Sequence, residues 1–136
     1  MHALIIEDEM LVAAVIEFVL RDCGFDSFDV APSSDSAIAA ASRQRPDLIT
    51  ADISLDPGSG LEAVSAIAPQ ASIPVIFITG SAMQIRDQIT DYPVLNKPFS
   101  QQTLTYAVAA SMASMASLAA DEPSERTARQ RRDRTG

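Results

Sequence analysis

Short apolar runs and longer stretches of spaced apolar residues follow one another along the chain. Residues 3–6 are continuously apolar and give way to acids at Glu7. Such a run suits a strand buried on both faces of a parallel sheet. Over residues 10–21 apolar side chains fall at Leu11, Val12, Val15, Ile16, Val19 and Leu20, a helical spacing, and Gly24 supplies the stop. Residues 28–31 read as a weak strand. Ser33 or Ser34 caps a second helix that reaches about residue 41, with Ala37, Ile38 and Ala41 facing inward. Residues 48–51 form a third strand that ends at Asp52, and the run Pro57, Gly58, Ser59, Gly60 marks a loop. A short helix follows over 61–67, with Leu61, Val64 and Ile67 on one side. Residues 75–78 are the clearest strand, and 94–95 form a short fifth one. Ser100 caps a last helix over 101–119. Strand and helix patterns thus alternate five times, which predicts an α/β fold with a parallel sheet covered on both faces.

Composition narrows the function. The 136 residues suit a single domain, expected over 1–120, with 121–136 as a disordered charged tail. Residues 1–120 hold 5 basic and 14 acidic groups, a balance of −9, while the tail holds 5 arginines and 4 acids, a balance of +1. An acidic body lacks the clustered cations that a nucleic-acid backbone requires, so no nucleic-acid partner is expected. No apolar run approaches the ~18–20 residues that span a bilayer, and no basic segment precedes an apolar one at the N-terminus. Neither a membrane segment nor a signal peptide is therefore expected. Cys23 and His2 are the only residues of their kinds. That excludes a disulfide framework and a Cys/His metal cluster, and it points to a reducing, cytoplasmic setting. His2 is expected to be inert at a frayed terminus. No glycine-rich phosphate loop is present.

The chemistry-bearing residues stand at strand ends. In open α/β sheets ligands bind beyond the carboxyl ends of the strands. Here those ends carry Glu7, Asp8 and Glu9, then Asp52, then Thr79, then Lys97. In a parallel sheet they meet at one edge. Crowded carboxylates repel one another, and a hard divalent cation such as Mg²⁺ relieves that by binding one or two of them with waters and phosphate oxygens. Lys97 offers a point charge and Thr79 a hydroxyl to a phosphoryl group. Asp52 is left as the natural nucleophile, since a carboxylate can form an aspartyl-phosphate.

These residues, within Ile5-Ile6-Glu7-Asp8-Glu9, Asp47-Leu48-Ile49-Thr50-Ala51-Asp52, Phe77-Ile78-Thr79-Gly80 and Lys97-Pro98-Phe99, resemble the receiver domain of two-component response regulators. The resemblance covers about residues 1–112. It implies a doubly wound, flavodoxin-like five-stranded sheet. It makes Asp52 the phosphoacceptor, Asp8 the direct and Glu7 the water-mediated ligand of Mg²⁺, and the Ser54 backbone carbonyl a further ligand. Thr79 matches the switch hydroxyl, and Lys97 the phosphoryl-contacting lysine before a cis proline. The sequence departs from the usual pattern in three ways. Val94 stands where the switch aromatic is common. The interval from Thr79 to Lys97 is short, so the fourth helix of the pattern is expected to be stunted, over 84–89. Ala82 replaces the tyrosine of the Phe-Ala-Thr-Gly-x-Tyr single-domain subgroup, which the 77–82 segment otherwise partly resembles, and the 55–60 loop resembles both this subgroup and the receivers of general stress-response regulators.

The resemblance implies a stand-alone, non-enzymatic phosphoacceptor. A sensor histidine kinase or phosphotransfer protein supplies the phosphoryl group, and output is through protein binding or as a phosphate sink. The alternative is a receiver-like binding module independent of phosphorylation. An aspartate-nucleophile phosphatase would need a second acid two residues after Asp52, where Ser54 stands. The last helix continues its apolar spacing at Met112, Met115 and Leu118, where no sheet is expected beneath it, so it is a candidate homodimer or partner face.

Overall fold

The structure is a computed structural model that describes residues 1–55, 57–80, 82 and 91–121. The strands are β1 (His2–Ile6), β2 (Ser27–Ala31), β3 (Leu48–Ala51), β4 (Val75–Thr79) and β5 (Val94–Asn96). They pair in parallel in the order β2-β1-β3-β4-β5. The helices are α1 (Met10–Asp22), α2 (Ser34–Arg43), α3 (Gly60–Ile67) and the last helix, here α4 (Gln101–Asp121). The stunted helix expected over 84–89 and the tail from 122 lie outside the described residues.

Alternate residues of each strand feed opposite faces of the sheet. Leu4, Ile6, Ile49, Ala51, Val75 and Phe77 pack with α2 and α3. Ala3, Ile5, Leu48, Ile76 and Ile78 pack with α1 and α4. The helix starts follow local capping chemistry. Ser33 and Ser36 exchange hydrogen bonds as a capping box on α2, Ser59 accepts from the Leu61 N–H, and Ser100 accepts from the Thr103 N–H. Gly24 follows α1 at φ +101°, a left-handed turn that favours glycine.

Several inward and outward assignments differ from the sequence reading. On α2 the buried residues are Ser34, Ala37 and Ala40, and Ile38 is exposed. The small alanines let the helix lie close to the sheet, and Ile38 points one step round from Ala37. On α1 the inner face is Ala13, Ile16, Val19 and Leu20, while Leu11, Val15 and Phe18 point to solvent. That helix is therefore apolar on two sides, which spacing alone cannot separate. His2 is not frayed: it begins β1 at 5% exposure, with Nδ1 2.7 Å from Ser27 Oγ and Nε2 3.1 Å from Asp29 Oδ2. On α4, Leu104, Ala107 and Val108 are buried, and the core also reaches Met112, beneath which no sheet was expected. Met115 lines a cavity with Pro74, Val75, Tyr92 and Pro93 at the sheet's opposite edge.

Candidate functional site

Main-chain bonds beyond the strand ends set the site. The N–H of Glu7 donates to Ala31 O at 2.9 Å, that of Asp52 to Ile6 O at 2.9 Å, and that of Lys97 to Thr79 O at 2.9 Å. Each of these residues is thus fixed beside the end of a neighbouring strand. Glu7 and Asp52 flank the gap between β1 and β3, where strand order reverses and open α/β sheets bind ligands.

The side chains converge on Lys97. Its Nζ donates to Glu9 Oε1 at 2.8 Å, Asp52 Oδ2 at 2.9 Å and Glu7 Oε2 at 3.1 Å. Burial pulls its basicity down, but the bonds to Glu9, Asp52 and Glu7 outweigh that and hold it above the ordinary lysine value. Glu7 is fully buried, and its carboxyl is pushed up to about 7. Desolvation is the main cause and the Asp52 charge adds to it, against the Glu9 N–H and Lys97. Asp52 Oδ1 accepts the Ser54 N–H at 3.1 Å. Ser54 bridges Ser59 across the loop, and the Gly60 N–H closes onto Ile53 O at 3.0 Å. A Cβ at Gly60 would collide with the Asp52 carbonyl, so the loop after β3 reads as a cradle rather than a mere linker.

Carboxylate oxygens of Glu7, Asp8, Glu9 and Asp52 lie within 4.8 Å of one another, the first and last buried and the middle two toward solvent. Glu7 Oε1 is buried without a hydrogen-bond partner among the described residues. An orphaned buried oxygen in an all-oxygen donor set, open on one side, fits a hydrated Mg²⁺. Thr79 ends β4 at 1% exposure, level with Asn96 of β5. The Lys97–Pro98 bond is cis. Val94 lies opposite Phe77, and its 9% exposure places it in the core on the α2 and α3 face. The Asn96 amide accepts from the Ala82 N–H at 3.3 Å and donates to Lys97 O at 3.0 Å, linking the segment after β4 to the lysine.

The structure brings Glu7, Asp8, Asp52 and Lys97 together at one edge of the sheet. Sequence reasoning missed Glu9 as a direct partner of Lys97 and Gly60 as the wall behind Asp52. The single signal for Gly60 was its place in a glycine-rich loop.

A parallel sheet in this order, with clustered acids and a lysine at its carboxyl edge, defines a doubly wound, flavodoxin-like α/β domain. The family model for the response regulator receiver domain matches residues 3–109, and the chain belongs to that family. Among curated relatives, the phyllosphere-induced regulator PhyR of Methylorubrum extorquens is 34% identical over 80% of this chain and 42% of its own length. The probable transcriptional regulatory protein TcrX of Mycobacterium tuberculosis is 31% identical over 79% of this chain and 47% of its own. The chain spans under half the length of each. Among solved structures, the receiver domain of Erythrobacter litoralis PhyR matches at TM-score 0.75 and 33% identity, over 82% of this chain and 88% of that one. The receiver domain of the Pseudomonas aeruginosa sensor histidine kinase PA1611, solved with magnesium in its active-site cleft, matches at TM-score 0.71 and 28% identity, over 82% and 97%. The anti-anti-sigma factor PhyR of Bartonella quintana matches at TM-score 0.75 and 32% identity, over 88% and 51%.

Proposed function

We propose that this chain is a phosphoryl-controlled protein-binding switch in the cytoplasm. Asp52 accepts the phosphoryl group of a phosphohistidine on a sensor histidine kinase or phosphotransfer protein. The observation that carries this reading is Asp52 at 2.9 Å from the Lys97 ammonium, beside buried Glu7, at the β1/β3 gap. Phosphoryl transfer asks a protein mainly for position and charge neutralisation. An Asp52 oxygen attacks phosphorus in line, the phosphorus–nitrogen bond breaks, and the imidazole nitrogen keeps the electron pair. Asp52 becomes an acyl phosphate. Glu7, Asp8, Asp52 and the Ser54 backbone carbonyl would hold Mg²⁺, which supplies positive charge to the phosphoryl oxygens when bound. Lys97 stays protonated and turns its ammonium to those oxygens, while Thr79 donates its hydroxyl. With Ser54 where a second acid would be needed for turnover, the acyl phosphate is a signal rather than a step in hydrolysis.

The donor has an apolar face to dock on, since Leu11, Val15 and Phe18 stand outward on α1, which begins beside the site. Likeness to PhyR makes a component of sigma-factor control the favoured class of output partner. The working unit is residues 1–120. The test is Mg²⁺ with acetyl phosphate, read on a phosphate-affinity gel. Wild type should shift and Asp52→Asn should not. A second reading, a binding module that ignores phosphate, draws on Val94 in place of an aromatic; it gains if wild type also fails to shift.

A further inference from the structure

Glu9 is the N-cap residue of α1, yet its side chain makes no capping bond. It reaches instead to Lys97, and at 2.8 Å its contact is the shortest of the three that Nζ makes. An ammonium has three N–H donors. Glu7, Glu9 and Asp52 occupy all of them, so a phosphoryl oxygen arriving at Asp52 finds no donor until one carboxylate lets go. Glu7 is buried and also accepts the Glu9 N–H at 3.2 Å. Asp52 is itself the acceptor and is held by the Ser54 N–H. The Glu9 side chain is 61% exposed, so it alone has room to swing away. We propose that Glu9 is a latch on Lys97: it holds the ammonium in the resting site, competes with the phosphoryl group for it, and so sets how tightly the site takes that group. Glu9 is a positioning residue acting through Lys97, and the inference rests on Asp52 being the phosphoacceptor.

Glu9→Gln keeps the length but removes the competing charge. Glu9→Asp keeps the charge but is one methylene shorter, and aspartate at an N-cap turns to its own helix's N–H groups. Both substitutions should therefore release Lys97. Beryllofluoride, a phosphoryl mimic, is titrated calorimetrically with Mg²⁺ saturating for each protein. Both variants should bind it about three- to tenfold more tightly than wild type, the scale of one exposed charged contact. Lys97 is the only lysine in the sequence, so lysine-labelled protein gives one side-chain NMR signal, which should move in both variants before any ligand is added. Tightening by Glu9→Gln alone would mean general charge rather than a latch and would overturn the proposal. Unchanged or weaker binding in either variant, or an unmoved lysine signal, would overturn it too. If wild type itself fails to bind beryllofluoride, the phosphoacceptor reading falls first and the latch with it.

Discussion

Gly60 opens α3 against the main chain of Asp52, and the contact leaves no space for a side chain. Gly60→Ala must push either the helix or the loop, and forced overpacking of this kind typically costs about 1–3 kcal/mol. Because the obstructed atom belongs to Asp52, the strain falls on the proposed phosphoacceptor itself. Gly60→Ala should lower the melting temperature in a calorimetric scan. It should also slow acetyl-phosphate labelling well beyond what the small loss of folded protein explains. Equal losses in both would mean that the glycine serves folding only. Two residues earlier, Gly58 combines φ +96° with a site where a Cβ would strike the Ser34 hydroxyl. The end of the loop that leads into α3 is therefore constrained at two positions.

At the scale of elements, α4 shows how a pattern can be right and its meaning shift. Met112 packs against the core, and Met115 lines the cavity near Pro74 and Tyr92, where Phe77 and Tyr92 meet edge to face with centroids 5.8 Å apart. Replacing both methionines with glutamine should therefore lower stability. A partner face on α4 predicts in addition a change in sedimentation or in kinase capture, and destabilisation with neither would reduce the stripe to packing. The strands, the caps at Ser33 and Ser100 and the acids at the strand ends were legible because each is written in a few consecutive residues, while Ser59 read only as part of a loop and its cap on α3 was missed. Glu9 meeting Lys97 joins residues 88 positions apart, and His2 is buried by Ser27 and Asp29 of the next strand. Local periodicity carries no record of such pairings. The outward stripe of α1 was hidden for another reason: apolar residues on both sides of a helix blur its inner face.

At the scale of the molecule, the site links stability to pH and metal. Glu7's carboxyl lies near 4.5 when unfolded and about 7 when folded, raised chiefly by burial. Folding therefore takes up a proton between these values, so Glu7's contribution to stability falls as pH rises from about 4.5 to about 7 and is level beyond. In metal-free buffer, calorimetric scans of wild type should show this decline, and Glu7→Gln should flatten it. Mg²⁺ should oppose it, because it favours the ionised carboxylate and binds the folded site. A slope that survives Glu7→Gln would place the titrating group elsewhere. The same three carboxylates also decide what Lys97 cannot do. An amine attacks electrophiles through its lone pair, and an ammonium held protonated has none to offer. The one side-chain amine in the chain is thereby shielded from acylating agents such as acetyl phosphate, and it becomes reactive only when the site comes apart.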